Sequence, residues 1–143
     1  ELIFYPHREM QKYAAYFYPE HARIKVAGWP KYDVQKLLKE SALLITDYSS
    51  IAMDFAYMKK PLLYFQFDYE MYRKGHYPEG YFSYEKDGFG RVCRTPEVLL
   101  GEMERILEED FRMEESYRRR AEEFYETFDA GNCERNYQAI RKL

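Results

Sequence analysis

The segment Leu43-Leu44-Ile45-Thr46-Asp47-Tyr48-Ser49-Ser50-Ile51-Ala52-Met53-Asp54-Phe55-Ala56 limits the possible folds more than any other part of this chain. A short run, apolar on both strand faces, ends in a polar turn. A helical stretch of roughly ten residues follows, and then Pro61-Leu62-Leu63-Tyr64-Phe65 repeats the apolar run. Strands that are apolar on both faces need cover on both sides, and a helix between two of them makes the pair parallel. The expected fold is therefore α/β, a doubly wound parallel sheet with a helical C-terminal tail.

The flanking sequence extends this pattern. Leu2-Ile3-Phe4-Tyr5, closed by Pro6, reads as a buried strand, 11–17 as a helix or helical turn, and Ile24-Lys25-Val26-Ala27 as a second strand stopped at Gly28-Trp29-Pro30. Asp33 is placed to cap a helix through Glu40, because Val34, Leu37 and Leu38 fall on one face. Ser50 is expected to cap the helix that runs to about Met58. Residues 66–90 have no clear period and read as a long ordered loop with a short helix near 70–74, the kind of loop that often serves function. Arg91-Val92-Cys93 is a last short strand. Thr95 with Pro96 opens a helix to about Glu109, followed by helices over 113–127 and 132–142.

With 143 residues, one domain over 1–143 is expected, and 16 Tyr, 10 Phe and one Trp give it ample core material. Two cysteines, Cys93 and Cys133, make neither a disulfide framework nor a clustered metal site, so no metal and no cofactor is expected. No apolar run reaches membrane-spanning length, and the chain by itself is expected to be soluble. The opening without Met reads as a piece of a larger protein. Residues 1–96 carry a net +2 and residues 97–143 a net −5, so no basic face for nucleic acid is indicated.

Candidate chemistry gathers where the strands end. Ser49 and Ser50 sit at the start of a helix, where unpaired N–H groups favour an anion, and Asp54 lies one turn on, in reach of a ribose hydroxyl or of the turn itself. Taken alone, Ser50 is equally an ordinary cap and Asp54 an ordinary first-turn acid. Pro6-His7-Arg8 follows directly on a strand: His7 is suited to bond or protonate a phosphate and Arg8 to add charge, while a lone histidine is more often structural. Asp68, within the acid-, base- and aromatic-rich stretch from Gln66 to Tyr77, is a further cleft candidate, with packed surface aromatics as the alternative. Arg118-Arg119-Arg120 among glutamates reads as a solvated, ion-paired helix face.

Taken together, Leu44-Ile45-Thr46-Asp47-Tyr48-Ser49-Ser50, Asp54-Phe55-Ala56-Tyr57, Lys60-Pro61, Gln66-Phe67-Asp68, Tyr72-Arg73-Lys74-Gly75, Tyr84-Glu85-Lys86-Asp87-Gly88-Phe89-Gly90 and the 129–135 segment resemble the CDP-glycerol glycerophosphotransferases of teichoic-acid biosynthesis. The resemblance implies the C-terminal, nucleotide-binding lobe, with a Rossmann-like sheet, of a two-lobe GT-B-type enzyme whose N-terminal lobe is missing here. It also implies CDP-glycerol as donor, a lipid-linked glycerol or polyol phosphate acceptor, release of CMP, and work at the cytoplasmic face of the bacterial membrane. By the same resemblance His7, Ser49 and Ser50 contact the nucleotide phosphates, with His7 the catalytic candidate. Asp47 and Asp54 also match the family pattern, which implies roles in shaping the turn and at the ribose; Arg8 joins the donor-site candidates from its place beside His7, and the resemblance puts a general-base histidine in the missing lobe. One departure is that the usual histidine-proline pair reads His7-Arg8. The competing readings are a related lobe using a CMP- or UDP-sugar and a non-catalytic α/β interaction module.

Overall fold

A computed structural model describes residues 1–75 and 80–143, which form two compact units, 1–41 and 42–143.

In the first unit β1 (Leu2–Phe4) pairs in parallel with β2 (Ile24–Val26), Leu2 against Ile24 and Phe4 against Val26. The connection is a 3-10 helix, Arg8–Tyr16, and Gln11 within it ties the unit together by donating to the Pro6 carbonyl and accepting from the Trp29 N–H. Asp33 caps α1 (Val34–Glu40) as expected, its Oδ1 accepting from the N–H groups of Gln35 and Lys36 at 2.8 and 3.2 Å. The first strand departs from expectation: Leu2, Ile3 and Phe4 are not buried but 37–41% exposed, because a two-stranded ribbon with its short helices cannot cover both of its own faces.

The second unit is the α/β layer structure that the apolar runs implied. Strands β3 (Leu44–Thr46), β4 (Leu62–Phe65) and β5 (Arg91–Cys93) form one parallel sheet in the order β3-β4-β5. Helix α2 (Ile51–Tyr57) links the first two, and α3 (Tyr69–Gly75) lies in the long connection to the third. The remainder is α4 (Pro96–Glu108), α5 (Glu115–Phe124) and α6 (Asn132–Ile140). Successive residues of a strand point to opposite faces. Leu63 and Cys93 therefore pack with Ile106 of α4, joined by Ile45, Phe65, Leu99 and Met103. Tyr64 takes the other side: its ring meets Tyr84, its hydroxyl accepts from the Phe89 N–H, and Phe89 in turn meets Phe124 and Tyr125 at the end of α5. Helix α2 closes on this layer through Ala52, Phe55 and Ala56, all at most 2% exposed.

Two glycines are required by backbone approach. A side chain at Gly90 would overlap the Leu62 carbonyl, and one at Gly88 would overlap the Tyr84 carbonyl. The α5 arginines divide. Arg118 and Arg119 pair with Glu115 as expected of a solvated face, whereas Arg120 reaches back to the Glu85 and Gly88 carbonyls and fastens that loop.

Candidate nucleotide site at the strand ends

Parallel strands present their carboxyl ends at one edge, and in the second unit that edge collects Asp47 to Ser50 after β3, Gln66 to Asp68 after β4 and Arg94 after β5. The turn after β3 is held from within and from without. The Asp47 carboxylate accepts from the Tyr48 N–H at 2.6 Å, and its backbone carbonyl accepts from Gln66 Nε2 at 3.2 Å. Tyr48 lies flat on Tyr72 of α3, ring centroids 3.6 Å apart, and donates its hydroxyl to Asp68 Oδ1 at 2.9 Å. Tyr84 donates to the Tyr48 carbonyl at 3.0 Å. Burial, the Asp68 hydrogen bond and the Asp68 charge all push the Tyr48 phenol up, while the nearby Arg94 charge pulls it down. Tyr48 thus remains a neutral donor through the physiological range.

The serines behave differently from the expectation. Ser50 occupies the cap position of α2 with helical backbone angles, and its side chain makes no cap bond. The cap is Ser49, whose Oγ accepts from the Ile51 N–H at 3.4 Å. The next two N–H groups are also taken, Ala52 by the Ser49 carbonyl and Met53 by the Ser50 carbonyl. The helix start therefore does not offer the cradle of unpaired N–H groups that the sequence implied. Tight i to i−3 bonds have absorbed the N–H groups of Ala52 and Met53, and the hydroxyls of the exposed Ser49 and Ser50 can still donate at the turn.

Burial, helped by the charge of Asp54, which is exposed on α2, pushes the Tyr125 phenol up to about 12. Among the described residues the Asp54 side chain does not hydrogen-bond to the turn. Asp68 does, through Tyr48. His7 and Arg8 belong to the first unit, where both are exposed and His7 Nδ1 accepts from the Glu9 N–H at 3.4 Å, capping the 3-10 helix. The His76-Tyr77 end of the aromatic stretch lies outside the described residues.

Gln66 and Tyr72 lie in the stretch that the sequence offered as a cleft lining, without a role for either, whereas Tyr48, Tyr84 and Arg94 were not singled out as parts of this edge. Gln66 is 1% exposed and its Oε1 has no hydrogen-bond partner among the described residues, a state that costs about 1–3 kcal/mol when nothing donates to it. The available signal was position: a glutamine directly after an apolar strand points where ligands bind, and a polar residue there is seldom idle.

With this edge described, the similarities of the chain acquire a structural setting. It is 34% identical over 143 residues to the minor teichoic acid biosynthesis protein GgaB of Bacillus subtilis (strain 168), covering all of this chain and 15% of that protein. It is 38% identical over 88 residues to the teichoic acid poly(glycerol phosphate) polymerase of the same organism, covering 59% of this chain and 11% of the relative. The solved structure of the wall teichoic acid polymerase TagF superposes with a TM-score of 0.65 at 24% identity, over 89% of this chain and 31% of that one, and shares its fold. The chain thus spans well under a third of the curated relatives it matches. A family model aligns from residue 1 to residue 142, across both units and every strand end described above, and the chain belongs to the CDP-glycerol:poly(glycerophosphate) glycerophosphotransferase family.

Proposed function

We propose that this chain is the donor-nucleotide part of a glycerophosphotransferase that moves glycerol phosphate from CDP-glycerol to a growing teichoic acid. The observation that carries the reading is the braced turn after β3, with an exposed Ser50 whose hydroxyl makes no cap bond, in a chain aligned to this family over 1–142. An acceptor hydroxyl oxygen attacks the glycerol-bearing phosphorus, the bond from that phosphorus to the CMP oxygen breaks, CMP leaves, and the hydroxyl proton passes to a base. Phosphoryl transfer needs charge neutralisation and in-line placement more than covalent help. In the second unit Ser49 and Ser50 supply hydroxyls to a phosphate of the donor; in the first unit His7 is suited to give a proton or hydrogen bond to a phosphate oxygen and Arg8 positive charge. Asp47 shapes the turn and Asp54 meets the ribose. Asp68 acts on the turn through Tyr48.

In this proposal residues 1–143 form one lobe of a two-lobe, GT-B-type enzyme, the other lobe provides the base, and the acceptor is lipid-linked at the cytoplasmic face of the membrane. The turn itself is compatible with any nucleoside diphosphate, so base selectivity decides. Calorimetric titration of CDP, CMP and UDP into the intact enzyme, and into His7→Ala and Ser49→Ala/Ser50→Ala variants, is the test. Cytidine-selective binding that weakens at least about tenfold in both variants is expected, corresponding to loss of one charge-assisted or two neutral hydrogen bonds. Preference for UDP would replace this donor by a UDP-sugar. Absence of nucleotide binding by a folded intact enzyme would leave an interaction module.

A further inference from the structure

Between the ends of β4 and β5 lies a small hollow lined by Gln66, Tyr69, Ser83, Tyr84, Glu85 and Arg94. Its composition is unlike that of the packed layers on either side. Gln66 is fixed at one end, because Nε2 donates to the Asp47 carbonyl, and this sets which atom is the oxygen at the other end. That oxygen, Oε1, is buried and has no partner among the described residues. A buried acceptor in this state is seldom left without a donor, and Gln66 is one of the residues that line the hollow. Arg94 borders the same space and is positioned on two sides: its guanidinium lies 4.2 Å from the Tyr69 ring centre, and it donates to Glu85 Oε1 at 2.8 Å. Glu85 is anchored through its backbone by Arg120. The hollow therefore combines an orphaned acceptor with a half-exposed cation whose present partner is a solvated, exchangeable carboxylate.

We propose that this hollow is a polyol-phosphate subsite, in which a ligand hydroxyl donates to Gln66 Oε1 and an adjoining phosphate oxygen replaces Glu85 on Arg94. The inference rests on the functional reading above for the ligand and adds which part of it is read here. Two portions of such a ligand share the chemistry, the glycerol of the donor and the ribose of its nucleotide, and each has a hydroxyl close to a phosphate. A phosphate alone does not satisfy Oε1, since an ionised phosphate oxygen only accepts.

The test is calorimetry on the intact enzyme with CDP-glycerol, CDP and 2′,3′-dideoxy-CDP, for wild type, Gln66→Met and Gln66→Glu. Wild type is expected to bind one hydroxyl-bearing ligand about tenfold or more tighter than its hydroxyl-poor counterpart. CDP-glycerol over CDP assigns glycerol, and CDP over the dideoxy compound assigns ribose. Gln66→Met is expected to abolish that ratio while binding of the poorer ligand persists. Gln66→Glu keeps an acceptor oxygen at this position and is expected to retain it. Equal affinities for all three ligands in wild type, or a Gln66→Met loss shared equally by all, would overturn the proposal and leave a water under Gln66 and a glutamine that only props the turn. If wild type binds none of the three, the functional reading fails instead. Glycerol 3-phosphate and ribose 5-phosphate then test the hollow directly: binding lost in Gln66→Met upholds it, and no binding overturns it.

Discussion

Tyr48 joins three elements through one residue: its ring rests on α3, its hydroxyl donates to Asp68 after β4, and its backbone carbonyl accepts from Tyr84 of the long loop. Removing only the hydroxyl separates these roles. Tyr48→Phe keeps the stack and loses the bond to Asp68, so a stability loss of about 1 kcal/mol is expected in chemical denaturation, with nucleotide affinity falling because the turn loosens. A variant as stable as wild type would show that the stack alone holds the turn. The serines invite the opposite contrast. Since Ser50 makes no cap bond, Ser50→Ala is expected to leave stability within about 0.5 kcal/mol, whereas Asp33→Ala removes a working cap and should cost about 1 kcal/mol. Thermal melts of the two variants in parallel check both. A residue type and a position suffice to predict that a helix starts, but they do not say which of two adjacent hydroxyls turns inward. That choice follows from the backbone angles at Ser50, which tertiary contacts set.

Elements were legible where one rule governed them. The apolar runs at 43–46 and 61–65 leave little alternative to buried parallel strands, and β3, β4 and β5 form where they were expected, shortened by a residue at most. The aromatic cluster over the sheet was not legible, because tyrosines at 48, 64, 72, 84 and 125 share no period and meet only after the chain has folded. Burial of Leu2 to Phe4 was misjudged for a related reason: an apolar run states a need for cover and not what provides it. The glycines around β5 yield a prediction at this scale. Gly90→Ala puts a methyl against the Leu62 carbonyl inside a paired strand, where neither backbone can yield cheaply. A loss of about 3 kcal/mol or more is expected, read as a fall in the denaturation midpoint, while Gly101→Ala, in open space on α4, is expected to be neutral or slightly stabilising.

Across the whole molecule the buried phenols set an alkaline limit. Burial pushes Tyr64 and Tyr125 up to about 12, and Tyr48 is raised as well. Their unfolded value is about 10, so the folded state holds more protons than the unfolded one above that pH. The stability they provide is complete below pH of about 10 and is lost as pH rises through the folded values. Melting temperature is therefore expected to stay level from neutrality to about pH 9.5 and to fall beyond pH 10, less steeply in Tyr64→Phe. A flat profile to pH 12 in wild type would contradict the burial of these rings. The same tyrosines impose an order in time. Tyr125 donates to the Met53 carbonyl and Tyr57 to the Asp129 carbonyl, each across 72 residues. Helix α2, which carries the serine turn, thus lacks these two bonds until Tyr125 and Asp129 have left the ribosome. Contacts of such separation fold slowly, and a nascent chain stalled before Tyr125 exposes an unfinished turn.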